Sequence, residues 1–148
     1  ALAQFSARYD AHKEDKTAAY PGMVDLIARL KAAGVNMAVL TNKADPMARP
    51  VVNAYYPGLF PTVQGALPGM PTKPDPTLLH KLMERMNATR ENTLFVGDSN
   101  VDIRTAKNGG LTGCGVLWGF RSRQELETEG ADVLVQTPEE LERVILGQ

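Results

Sequence analysis

The sequence has 148 residues, 43% hydrophobic and 22% charged, the size and composition of one ordinary globular domain with a single sizeable core. Sixteen basic against seventeen acidic residues give a formal net charge of −1 with no Lys/Arg run, which leaves a nucleic-acid or membrane-surface partner without electrostatic support. The lone Cys114 excludes an internal disulfide and fits a reducing cytoplasm, and no apolar run approaches the roughly 18–20 residues that span a bilayer.

Residues 1–16 (ALAQFSARYDAHKEDK) read as a polar helix, and Pro21-Gly22 punctuates the chain after it. No signal-peptide pattern opens the sequence, and its first residue, Ala1, leads us to expect a longer natural chain. Met23, Val24, Leu26, Ile27 and Leu30 fall at helical spacing, with Gly34 placed to end that helix. Met37–Leu40 is a short apolar run expected to be a buried strand ending in Thr41-Asn42-Lys43. Asp45-Pro46 resembles an N-cap and first-turn proline, and Pro50 is expected to break or kink the helix that they start.

A brief strand is expected near Thr62–Gly65, followed by a loop with Pro68, Gly69, Pro71 and Pro74. Leu78, Leu79, Leu82, Met83 and Met86 mark one face of the next helix, and Thr93–Val96 is a second buried strand that stops at Gly97-Asp98. A helix over about Val101–Lys107 closes at Gly109-Gly110, and Cys114–Trp118 is a further strand. Ser122 with Glu125, and Thr137 with Glu140, have capping-box spacing and start two more helices, with the short strand Val133–Val135 between them. Strands alternating with helices predict an α/β fold with a parallel sheet flanked by helices.

In such a sheet, ligands bind beyond the carboxyl ends of the strands. Thr41-Asn42 ends one strand, Gly97-Asp98 ends another, and Lys73 lies in the loop Pro71–Pro76. Asp98 and Asp102, four residues apart across a strand-to-helix junction, could converge on a hard divalent cation. They could equally be an N-cap and a first-turn carboxylate that only stabilise a helix. The Thr41 hydroxyl and nearby N–H groups can bond phosphate oxygens, and Lys73 can supply a point charge to the same group. Individually, Thr41 reads as a structural strand end and Lys73 as a solvated loop charge. His12 and His80 lack partners at ligand spacing and read as surface residues, while Cys114 reads as packed core and Trp118 as core or a loop anchor.

Taken in order, Leu40-Thr41-Asn42-Lys43, Lys73-Pro74-Asp75-Pro76 and Val96-Gly97-Asp98-Ser99-Asn100-Val101-Asp102 resemble the second, third and fourth motifs of the haloacid dehalogenase superfamily. Tyr20–Met23, Trp118–Ser122 and the stretch from Ala131 to Leu141 resemble its phosphoglycolate phosphatase branch, so the likeness covers about residues 17–146. The resemblance implies a Rossmann-like core over residues 17–148, with residues 1–16 as the last helix of a helical cap. It implies that Thr41 and Lys73 act on the transferring phosphoryl group, with Asn42 offering its backbone N–H. Asp98 would be a direct Mg²⁺ ligand, and Asp102 would bind the metal or hold its waters.

The activity so implied is Mg²⁺-dependent hydrolysis of a small phosphate monoester, phosphoglycolate first, through an aspartyl-phosphate intermediate. The partner is then a small phosphorylated metabolite, with neither nucleic acid nor membrane involved. The first motif of that superfamily, Asp-x-Asp at the end of a central strand, does not occur in these residues, and Asp10, Glu14 and Asp15 lie in the expected helix. The nucleophile is therefore expected outside this sequence, the 148 residues alone are expected to be inactive, and the strands ending at Thr41 and Asp98 are expected to lack a neighbour. Rival readings are a nucleotidase, sugar phosphatase or phosphomutase of the same superfamily. A non-catalytic phosphate- and metal-binding module, or an inactive fragment, is the rival from outside the enzymes.

Overall fold

The computed structural model describes residues 2–7, 21–119 and 122–147. Six strands, β1 (Leu2–Ala7), β2 (Asn36–Ala44), β3 (Val63–Ala66), β4 (Thr93–Gly97), β5 (Thr112–Val116) and β6 (Val133–Val135), form one sheet in the order β3-β2-β1-β4-β5-β6. Every pairing is parallel. Between and after them run α1 (Met23–Ala32), α2 (Asp45–Tyr55), α3 (Thr77–Arg85), α4 (Asn100–Gly109), α5 (Arg123–Glu129) and α6 (Pro138–Leu146). This is the doubly wound order whose connections reverse direction at the centre, between β1 and β4.

Alternating side chains of β2 and β4 feed two cores. Met37 and Val39 of β2 join Met23, Leu26, Ile27 and Leu30 of α1, Val52 of α2 and Leu141 of α6 on one face. Ala38 and Leu40 join Leu78, Leu79 and Leu82 of α3, Phe95 of β4 and Ala106 of α4 on the other. A strand covered on both faces must be apolar throughout, which is why Met37–Leu40 reads as a continuous run.

The expected helix over residues 1–16 requires correction over its first part. Leu2–Ala7 is the central strand β1, paired with β2 on one side and β4 on the other. The physical reason is the pair of neighbours: two apolar interior strands present backbone N–H and C=O groups that cost about 1–3 kcal/mol each if buried unpaired. A third strand between them satisfies both rows, so the gap expected there is filled by a strand without Asp-x-Asp. Residues 8–16, and with them the rest of the expected cap helix, lie outside the described residues.

Pro50 does not break α2, which continues to Tyr55. Both Pro50 and the carbonyl-bearing Pro46 four residues earlier are exposed, so the one intrahelical bond that Pro50 cannot make leaves its acceptor to solvent. Among the described residues, no helix is long and apolar enough to cross a membrane.

Candidate active site

The candidate residues gather at the carboxyl ends of β2 and β4, on either side of β1. Thr41 is 3% exposed and pairs across the ladder with Ala7, the last residue of β1. Beyond Leu40 the β2–β3 register slips: Leu40 pairs with Gln64, but the next partners are Ala44 and Ala66, so β2 carries two extra residues in a bulge. That bulge spans Thr41, Asn42 and Lys43, and the Thr41 hydroxyl closes it by accepting the Lys43 N–H at 3.2 Å. Gly65 makes room on β3, where a Cβ would lie 2.5 Å from Asp45 Cα and 2.6 Å from the Lys43 carbonyl oxygen.

Asn42 turns its side chain to the loop that carries Lys73. Its Oδ1 accepts the Lys73 N–H at 3.0 Å and its Nδ2 donates to the Lys73 carbonyl at 3.2 Å. The Lys73–Pro74 peptide is cis, and Asn108 of α4 donates to the Pro74 carbonyl at 2.9 Å. Held on both sides, the loop sends the Lys73 side chain inward rather than into solvent. Its Nζ lies 2.9 Å from Asp102 Oδ1 and 3.5 Å from the Leu40 carbonyl, with side-chain exposures of 5% for Lys73 and 1% for Asp102.

The junction of β4 and α4 completes the group. Ser99, not Asp98, is the N-cap: its hydroxyl accepts the Asp102 N–H, and Asp102 returns the bond to the Ser99 N–H. Asp102 Oδ2 also accepts from the Asp98 N–H at 3.1 Å and from Ser99 Oγ at 3.0 Å. One carboxylate thus caps α4, fixes the backbone of Asp98 and balances Lys73. With so many donors on a buried group, Asp102 is built as an anchor. Asp98 lies outside the helix, half-buried at the tip of β4, with Gly119 of the next strand's loop against its carboxylate.

A hard cation takes oxygen ligands, and Mg²⁺ needs only one or two carboxylates beside water and substrate oxygens. The donors here suit it. Gly119, which carries no side chain, lies against the Asp98 carboxylate, and two residues on, Asn100 Oδ1 is a buried oxygen with no hydrogen-bond partner among the described residues. Among those residues there is no cluster of three or more His, Cys, Asp or Glu that would form an all-protein cage.

The structure therefore brings Thr41, Asn42, Lys73, Asp98 and Asp102 together. The Asn42 side-chain clamp and the Ser99 cap were missed in the sequence; the Ser99-x-x-Asp102 spacing could have disclosed the second. His80 is exposed, its Nε2 lying 3.3 Å from the Gly109 carbonyl, and His12 lies outside the described residues. Cys114 is fully buried and its thiol is pushed up to about 12 by desolvation, so it stays a neutral core group. A surface depression lined by Arg49, Asn53 and Phe60 on the outer side of α2 contains none of the candidate residues.

Comparison with known proteins places the chain among relatives. The chain is 32% identical over 136 residues to the phosphoglycolate phosphatase of Pseudomonas putida KT2440, covering 91% of this chain and 50% of that protein. It is 30% identical over 138 residues to the phosphoglycolate phosphatase of Escherichia coli K12, covering 93% and 55% respectively. A crystal structure from Lactobacillus delbrueckii subsp. bulgaricus, provisionally named a phosphoglycolate phosphatase, superposes with a TM-score of 0.82 at 36% identity, over 87% of this chain and 54% of that one. The chain spans about half the length of the curated relatives it matches. The profile of haloacid dehalogenase-like hydrolases matches residues 1–116, and with the ordered motifs meeting at one sheet edge, the chain belongs to that family.

Proposed function

We propose that the intact protein is a Mg²⁺-dependent phosphatase acting on a small phosphate monoester, with phosphoglycolate as the first substrate to test. The observation that carries this reading is the buried Lys73 ammonium, held 2.9 Å from Asp102 and 3.5 Å from the Leu40 carbonyl at the crevice between β2 and β4. A lysine desolvated in this way meets a phosphoryl group as a positioned charge rather than a mobile one. Thr41 at the mouth of the bulge would bond a phosphoryl oxygen, and the Asn42 backbone N–H a second. Asp98 would hold Mg²⁺, which when bound neutralises charge on the phosphoryl oxygens. Asp102 holds the Lys73 ammonium and the Asp98 backbone in place. The attacking carboxylate has to come from outside these residues, because no Asp-x-Asp occurs among them. A reducing cytoplasm suits the single buried thiol.

The test is phosphate release by the intact protein from 2-phosphoglycolate, nucleoside monophosphates and sugar phosphates, with and without Mg²⁺. Preference for phosphoglycolate with a strict Mg²⁺ requirement is the expected result. Preference for a nucleotide or a sugar phosphate would keep the mechanism and move the substrate, whereas no release from any monoester at saturating Mg²⁺ would sink the proposal. For residues 1–148 by themselves the missing Asp-x-Asp favours a second reading, a phosphate- and metal-binding module without turnover.

A further inference from the structure

The turn that carries Lys73 closes on itself: the Asp75 N–H donates to the Thr72 carbonyl at 2.9 Å, with Lys73 and Pro74 between them. That closure leaves the main-chain groups of the two middle residues without a partner inside the turn, and Pro74 has no N–H to offer. Three groups remain, and two asparagine side chains take all of them. Asn42 Oδ1 accepts the Lys73 N–H at 3.0 Å, and Asn42 Nδ2 donates to the Lys73 carbonyl at 3.2 Å. Asn108 Nδ2 donates to the Pro74 carbonyl at 2.9 Å. The elements that hold the base of Lys73 also hold its tip. β2 brings Asn42 to the backbone and the Leu40 carbonyl to Nζ, while α4 brings Asn108 to the turn and Asp102 to Nζ. A lysine ammonium rides on a flexible four-carbon stem, so where the charge stands depends on where the backbone beneath it is held.

We infer that the side chains of Asn42 and Asn108 are positioning groups, which clamp the Lys73-Pro74 backbone to β2 and α4 and so set where the Lys73 ammonium meets a phosphoryl group. The inference rests on the phosphate role proposed for Lys73. It divides Asn42 into two parts, a backbone N–H proposed for phosphate and a side chain engaged by the loop. Removing the side chain tests the clamp alone, because alanine at position 42 keeps the N–H. Asn108 stands exposed on α4, outside all three motifs, and acts only through the turn.

The test is acetylation of the lysines of the intact protein, read residue by residue by mass spectrometry. Alkylation of the buried Cys114 reports wholesale opening, and inorganic phosphate is titrated alongside at saturating Mg²⁺. In wild type the buried Lys73 should react far more slowly than the exposed Lys81 and Lys107. Asn42→Ala removes two hydrogen bonds and should speed Lys73 and weaken phosphate binding about 10–100-fold. Asn108→Ala removes one and should do both about 3–10-fold. Cys114 should keep its wild-type rate in each variant. A wild-type Lys73 as reactive as Lys81, or a Lys73 rate unchanged in both variants, overturns the inference. So does Cys114 alkylation that rises in step with Lys73, since the side chains then only stabilise the fold. Faster Lys73 with unchanged phosphate affinity keeps the clamp and overturns the phosphate role on which the inference rests. If Asn42→Ala does not fold, Asn108→Ala decides alone, because it places a good helix former at an exposed helical position. Failure of both to fold overturns the inference.

Discussion

Asp98 and Asp102 show how burial places two identical side chains in different surroundings. Asp102 is 1% exposed, receives donors on both oxygens and is paired with a lysine that is itself buried. Such a pair is worth little beyond an apolar substitute, yet removing one partner strands the other and costs about 3–5 kcal/mol. Lys73→Met should therefore lower unfolding free energy in urea by about that amount, and Lys73→Met with Asp102→Asn should recover part of it. A loss below about 1 kcal/mol for the single variant would show that Asp102 is balanced from elsewhere. Asp98→Asn removes a charge at a half-exposed strand tip without opening a cavity, so the melting temperature should stay near wild type. On the activity proposed for the intact protein, turnover should fall by more than the roughly 10–100-fold lost when a residue supporting a metal ligand is removed. Equal kcat at saturating Mg²⁺ would count against a ligand role. The aspartates and Lys73 were legible in the sequence only through the order of their motifs, since singly they read as helix caps and a solvated loop charge. The Asn42 clamp was not, since an amide that bridges two chain segments leaves no periodic trace.

At the scale of elements, the bulge in β2 is the feature that no local pattern could announce. The run Met37–Leu40 signalled a strand and Thr41-Asn42-Lys43 its end, yet the structure extends the strand to Ala44 with two unmatched residues. Register belongs to a pair of strands, so its slip is invisible in either one alone. The trace that does exist lies on the partner, where Gly65 interrupts a short strand, a sign of a bulge or a close backbone approach. Gly65 also donates its N–H to Asp45 Oδ1 at 2.8 Å, which ties β3 to the first turn of α2. A methyl at Gly65 would meet backbone atoms of Lys43 and Asp45, which cannot swing aside as a side chain can. Gly65→Ala should therefore destabilise by about 1–3 kcal/mol, the usual cost of overpacking, and should weaken phosphate binding as Thr41 and Asn42 shift with the bulge. Denaturant melts and phosphate titrations read the two effects, and wild-type values in both would show that β3 moves away without disturbing β2. Helix ends were easier to see. Ser122 and Glu125 form the capping box that their spacing announced, and Thr137 caps α6 as expected, although Glu140 reaches the Gln136 N–H instead of its cap.

The whole molecule turns on what lies between β2 and β4. Alternation of strands and helices made the parallel sheet legible, but the strand order is a property of the assembled chain. The polar, charge-bearing start of the sequence gave a helical reading where the structure has the central strand. Two interior strands, apolar on both faces, override the weak local preference of Leu2–Ala7 because each buried backbone group left unpaired costs about 1–3 kcal/mol. A handful of such groups would consume a stability of roughly 5–15 kcal/mol. The position has a chemical consequence. Ala7 pairs with Thr41, and Phe5 with Val96, so β1 ends level with the bulge and with the strand that leads to Asp98. Any strand in this slot delivers its last residues to the crevice beside Thr41 and Asp98, and Leu2–Ala7 contains no carboxylate to deliver. Residues 1–148 expressed alone should therefore show slow amide exchange across β1, comparable with β2 and β4, together with no turnover of 2-phosphoglycolate or p-nitrophenyl phosphate. Rapid exchange across β1 would mean that the slot is open in solution and waits for another strand. Full turnover would place a nucleophile within these 148 residues and overturn the assignment of their motifs.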